Sequence, residues 1–171
     1  GLGDVYKRQG MLFSCTSKAP KSLVTPPNAA AVKAGQAHRE PVRGVWLTTV
    51  SRLDWPPVGS IIASTPESRI TQQKLALIAK LDNLQRLGIN TVFFQVKPDG
   101  TALWRSDILP WSDMLTGKIG EYPGYDPLQF MLDEAHKRGM KVHAWFNPYR
   151  VSVNTKPSTI AELNNTLTQV P

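Results

Sequence analysis

Cysteine is almost missing from this 171-residue chain, and the single Cys15 excludes an intrachain disulfide and any cysteine-based metal cluster. Histidine is nearly as scarce. His38, His136 and His143 are far apart, the first in a polar stretch and the second on the outer face of an expected helix, so metal catalysis has no ligand set to rest on. His143 reads as a structural residue, and no metal or other cofactor is expected. Runs of Lys and Arg that could track phosphates are also lacking. The net charge of +7 is unevenly placed: residues 1–40 hold six basic residues against two acids, whereas residues 41–171 hold fourteen against eleven. The part able to fold therefore carries a weak positive field, and nucleic acid is not expected as a partner.

What is present begins with Leu12-Phe13-Ser14-Cys15-Thr16-Ser17, which resembles a bacterial lipobox, where a small residue precedes a cysteine that is diacylated and becomes the mature N-terminus. A signal peptide also needs an apolar stretch of about 7–15 residues. Only Gly10-Met11-Leu12-Phe13 stands there, so residues 10–15 read as a remnant of a lipoprotein signal. Residues 1–9 read as a non-native leader, set apart from fold reasoning. An ordinary cysteine in a tail is the plainer alternative for Cys15. Residues 16–40 are rich in Ala, Pro, Ser, Thr, Lys and Asn without apolar periodicity, as in a disordered, flexible tether. Lipidation at Cys15, at about 0.8 kcal/mol per buried CH2, would make membrane attachment effectively permanent. Thr16 in place of Asp after the cysteine, by resemblance to lipoprotein sorting in Gram-negative bacteria, favours the periplasmic face of the outer membrane.

Residues 41–171 read as one α/β domain. Arg43-Gly44-Val45-Trp46-Leu47-Thr48-Thr49-Val50 is an apolar, β-branched run expected to be a buried strand. Thr65 then offers an N-cap, Pro66 a first helical residue and Glu67 an acid for the helix dipole. Ile70, Lys74, Leu77, Ile78, Leu81, Leu84 and Leu87 follow at spacings of three and four, and Gly88 can end the helix. The second strand, Asn90 to Val96, comes next. The pattern returns with Asp126 as cap, Pro127 as first residue, Leu128, Met131, Leu132 and Ala135 on one face, Gly139 as terminator and Lys141 to Phe146 as the third strand. Thr159 to Leu163 looks like the start of another helix. Repeated helix-Gly-strand units imply parallel strands.

Two architectures fit: the N-terminal part, about three βα units, of a (β/α)8 barrel, which typically takes about 250 residues, or a small open doubly wound sheet. Neither strand-to-helix turn carries a Gly-rich phosphate fingerprint, which favours the barrel over a nucleotide-binding sheet. In either, ligands bind beyond the carboxyl ends of the strands. There the chain places Thr48, Thr49, Ser51 and Arg52, then Gln95 to Trp104, then Asn147-Pro148-Tyr149-Arg150. Strand parity puts Phe93, Gln95 and Lys97 on one face, and His143, Trp145 and Asn147 on one face of the next strand. Gln95, Lys97 and Asp99 either meet substrate hydroxyls or pair with neighbouring loops. Trp104, Trp111, Tyr122 and Tyr125 share one connection of about thirty residues, long enough to be functional. Their flat faces suit sugar rings, or else they pack the loop down.

Arg43-Gly44-Val45-Trp46, Asn90 to Val96 followed by Lys97-Pro98-Asp99-Gly100, Gly124-Tyr125-Asp126-Pro127-Leu128, and His143 to Arg150 together resemble the opening of glycosyl hydrolase-like 10 proteins. The resemblance implies a barrel glycoside hydrolase and substrate contacts at Gln95, Lys97, Asp99, Trp104, Trp145, Asn147, Tyr149 and Arg150. With the lipobox and tether, it further implies an envelope lipoprotein that cuts peptidoglycan glycan strands stripped of stem peptides at the division septum, near divisome proteins. Glycoside hydrolysis normally needs two carboxyl groups across the scissile bond. Asp99 is the only acid directly beyond a strand end. The family's later segment, similar to Asp-Gly-x-x-Phe-Asp-Asp-Tyr, does not occur before Pro171, so no catalytic residue is assigned and the chain alone is expected to be inactive. The competing function is a non-catalytic carbohydrate-binding lipoprotein. A stand-alone structural lipoprotein is a third reading, disfavoured by the exposed strand edges it would have to keep soluble.

Overall fold

The computed structural model describes residues 40–168; the leader, Cys15 and almost all of the expected tether lie outside them. Three strands, β1 (Gly44–Leu47), β2 (Thr91–Lys97) and β3 (Lys141–Phe146), form a parallel sheet in the order β1-β2-β3. Helix α1 (Pro66–Arg86) joins β1 to β2. The connection from β2 to β3 holds the short helix α2 (Asp113–Thr116) and then α3 (Pro127–Lys137), and α4 (Pro157–Leu167) follows β3. Among the described residues no helix is long and apolar enough to cross a membrane.

Local chemistry explains where the helices start and stop. The Thr65 hydroxyl accepts from the Ser68 N–H at 3.1 Å, and the Asp126 carboxylate accepts from the Gln129 N–H at 3.0 Å, each followed by proline at the first helical position. Gly88 and Gly139, at φ of 74° and 71°, reverse the chain after α1 and α3 in the left-handed region that side chains avoid.

The helices cover one face of the sheet. Leu47, Val92, Phe94 and Val96 pack there against Leu77 and Leu81 of α1 and Met131 and Ala135 of α3. The expected stripe on α1 is correct at Leu77 and Leu81, but Leu87 is 67% exposed because the helix has already ended. Gln73 takes a fully buried place the apolar pattern did not mark. Its side chain donates to Leu115 O (2.7 Å) and Ser60 Oγ (3.1 Å) and accepts from the Tyr125 hydroxyl (3.0 Å), while its carbonyl accepts from Trp55 Nε1 (2.9 Å). This hub ties α1 to the loops around it, and burial pushes the Tyr125 phenol well above its ordinary range. Glu134 is buried and bonded to Lys137 and Arg138.

The first strand is shorter than its apolar run. At Val50–Arg52 the chain enters a 3-10 turn in which Ser51 and Arg52 take φ of 54° and 56°.

Candidate functional site

Among the described residues no helix lies on the opposite face of the sheet. Register places Trp46, Phe93 and His143 side by side across β1, β2 and β3, with Trp145 next to Gln95. Trp46 stacks on Phe93 (centroids 4.6 Å apart, 19° between planes), Phe93 stacks on His143 (5.2 Å, 24°), and Trp145 meets Trp46 edge-on (5.0 Å, 88°). Trp46 is nevertheless 59% exposed, so this aromatic ladder faces open space.

At the carboxyl end of the strands the ladder gives way to polar groups. Lys97 Nζ donates to the carbonyls of Asp99 (2.6 Å) and Asn147 (3.1 Å). Asn147 Nδ2 donates to Pro98 O (3.0 Å), and its Oδ1 accepts from Trp145 Nε1 (3.1 Å). These bonds lash the ends of β2 and β3 together and fix Lys97, Trp145 and Asn147 in one cluster. Asp99 sits beside it, buried, with Oδ1 accepting from the N–H (3.0 Å) and hydroxyl (2.6 Å) of Thr101. Trp104 lies edge-on to Phe146 at 5.7 Å.

The remaining expected contacts are dispersed. Gln95 is almost fully buried, and its Oε1 accepts from the N–H groups of Thr49 and Val50, both at 2.9 Å. That amide holds the loop after β1 against β2. Tyr149, 95% exposed, and Arg150 stand in solvent beyond β3.

Two residues at this end went unmarked as a pair in the sequence. The left-handed backbone at Arg52 sends its guanidinium across to the carbonyls of Asp113 (2.5 Å) and Met114 (2.9 Å). Asp113 lines a small cavity with Asp99, and its carboxyl is pushed above its ordinary value, first by burial and then by the Asp99 charge, against the opposing pull of Arg52. Burial in turn lowers the Arg52 guanidinium, with Asp113 opposing. The available signal was Ser112, which caps α2 by accepting from the Met114 N–H at 3.3 Å. This cavity of about 20 Å³, lined also by Val151 and Leu163, has no room for a sugar. Among the described residues no group of three or more His, Cys, Asp or Glu converges as metal ligands would.

The sequence signature of the glycosyl hydrolase-like 10 family matches residues 41–171, the whole stretch that carries the sheet, its helices and the strand-end cluster. The chain belongs to the glycosyl hydrolase-like 10 family. It is 72% identical over 162 residues to the glycosyl hydrolase DigH of Escherichia coli K12, an alignment covering 94% of this chain and 37% of that protein, and equally similar to the DigH of Shigella flexneri. It is 44% identical over 119 residues to the glycosyl hydrolase YngK of Bacillus subtilis, covering 70% of this chain and 22% of YngK. The chain thus spans little more than a third of the length of the DigH relatives. Within this glycosyl hydrolase-like 10 domain, the aromatic ladder and the cluster at Lys97, Trp145 and Asn147 lie in the matched region.

Proposed function

We propose that this chain is the N-terminal part of an envelope-anchored glycoside hydrolase that acts on peptidoglycan glycan strands lacking stem peptides during cell division. Its sheet supplies the first three strands of a (β/α)8 barrel, with the aromatic ladder turned inward and the strand-end cluster at the mouth. The observation that carries this reading is the uncovered sheet face, where Trp46, Phe93, His143 and Trp145 lead up to Lys97 and Asn147 at the end where α/β folds bind ligands. Membership in a glycosyl hydrolase-like family supports it. Gln95 positions the mouth and Asp99, buried against Thr101, braces the loop beside it, while Lys97, Trp104, Trp145, Asn147, Tyr149 and Arg150 contact the glycan. The acids that cleave the bond come from later strands. A lipid on Cys15 holds the domain at the periplasmic face of the outer membrane, near the division machinery.

The cavity around Asp99 and Asp113, too small for a sugar, favours a second reading, a carbohydrate-binding lipoprotein without its own acids. One experiment separates the two: the full-length product of the native reading frame is incubated with purified glycan strands, with and without stem peptides, and the soluble saccharides are weighed by mass spectrometry. Release from bare strands alone supports the hydrolase. Retention of intact strands supports the binder. Mass spectrometry of the membrane-extracted protein tests the anchor through a triacylated Cys15.

A further inference from the structure

Away from the strand-end cluster, the long connection between β2 and α3 folds into a second concavity. Arg105, Trp111, Tyr122 and Asp126 line an open volume of about 430 Å³, within the range of about 300–1,000 Å³ usual for small-ligand sites. The Trp111 and Tyr122 rings lie 5.5 Å apart at 57°. A tilted pair presents two apolar walls, whereas a stacked pair would bury a face of each ring against the other. Tyr122 is 60% exposed.

The walls are held in place before any ligand arrives. The backbone of Trp111 is paired with Ala102 in an isolated parallel bridge, and its carbonyl accepts from the Gly120 N–H at 2.8 Å. The Asp126 carboxylate is fixed by the N–H groups of Gln129 (3.0 Å) and Arg105 (3.1 Å), which leaves lone pairs unused. The Arg105 side chain makes no hydrogen bond or ion pair among the described residues. Apolar faces, five unspent N–H donors and a fixed acceptor match the apolar face and equatorial hydroxyls of a sugar ring. One cation against one anion leaves the lining near neutral, which favours hydroxyl groups over a strongly charged ligand.

We propose that this concavity is a second saccharide-binding site, which takes an uncharged pyranose unit of a glycan chain apart from the strand-end cluster. Asp126 begins α3, and in parallel α/β units a helix begins at the end of the sheet where strands finish, which puts Asp126 toward the same end as the strand-end cluster. The proposal rests on the glycan reading above and assigns a ligand to residues that reading leaves idle.

The test uses the full-length product of the native reading frame, with chitotetraose as the probe and calorimetry as the readout. Tyr122→Ala and Arg105→Met are each expected to weaken binding on the order of tenfold, as when a contact side chain at a binding site is truncated. Tyr122→Phe, which keeps the ring, binds as wild type, and thermal unfolding of all three stays unchanged. Unchanged affinity in both Tyr122→Ala and Arg105→Met overturns the second site; if Trp145→Ala then abolishes binding, the strand-end reading survives without it. Absence of any chitotetraose binding by the wild type overturns the second site and the glycan reading together. Binding that depends on Tyr122 and Arg105 in a protein that leaves glycan strands intact supports the second site and removes the hydrolase.

Discussion

The two faces of the sheet are built on opposite terms. One is aliphatic and sealed: Val92, Phe94, Leu77, Leu81 and Met131 are fully buried between strands and helices. The other is aromatic, uncovered and edged with polar groups held by bonds to backbone carbonyls. A face that only stabilises needs shape and apolar area, and the first has both. The second spends large aromatic surface on water, a cost that makes sense only where something else comes to lie on it.

The largest effect expected from breaking this contrast concerns the chain as a whole. Among the described residues Trp46, Phe146 and the outer edges of β1 and β3 are uncovered, so the 171 residues produced alone should bind hydrophobic dyes and associate. A sharp unfolding transition from a monomer, seen by calorimetry and light scattering, would show that the open face needs no cover. In the full-length product, Phe94→Ala on the sealed face is expected to cost about 3–5 kcal/mol in urea denaturation. Equal losses for Phe94→Ala and for Tyr149→Ala at the exposed strand end would erase the distinction.

A smaller effect belongs to Gln73. Gln73→Ala leaves the Tyr125 hydroxyl and the Leu115 carbonyl without this partner, at about 1–3 kcal/mol for each group left unsatisfied, and denaturation of the variant checks it. Smaller still is the Glu134 contribution. Its hydrogen bond from Lys137, then that from Arg138, hold its carboxyl below the ordinary range. A carboxyl lowered by folding stabilises at pH above its unfolded value, and that stability fades as pH falls through its native value. Glu134→Gln should therefore lower the melting temperature at neutral pH and make no difference once the wild-type carboxyl is protonated. A gap that persists at the lowest pH would mean that packing, and not charge, sets the loss. Asp113 runs the other way. Raised by burial, it should take up its proton at higher pH in the native chain than in the unfolded one, visible in its carboxyl carbon shift.

Most of the sealed face could be read from the sequence, and little of the open one. Periodicity at Leu77, Leu81, Met131 and Ala135 and the caps at Thr65 and Asp126 are local signals, each decided within a few residues of chain. Gln73 escaped because a polar residue on an apolar stripe is explained only by partners 42 and 52 residues away. The strand-end candidates came from topology, since parallel strands gather their carboxyl ends. Lys97, Asn147 and Trp145 do meet, but whether Gln95 faced a ligand or a loop depended on Thr49 and Val50, which alternation alone does not place. Arg52 reaches Asp113 through two left-handed residues that no composition rule anticipates.

The pairing between β2 and β3 slips near its end: Gln95 lies opposite Trp145, yet Lys97 lies opposite Phe146. Two steps on one strand thus answer one on its neighbour, and β2 runs ahead by one residue, about 3.3 Å. A ribbon whose lanes differ in length cannot stay flat, as on a running track where the outer lane must turn. An extra residue of this kind bends its strand and sharpens the local twist, so the turn of the sheet and the place of Lys97 opposite Phe146 trace to the same residue.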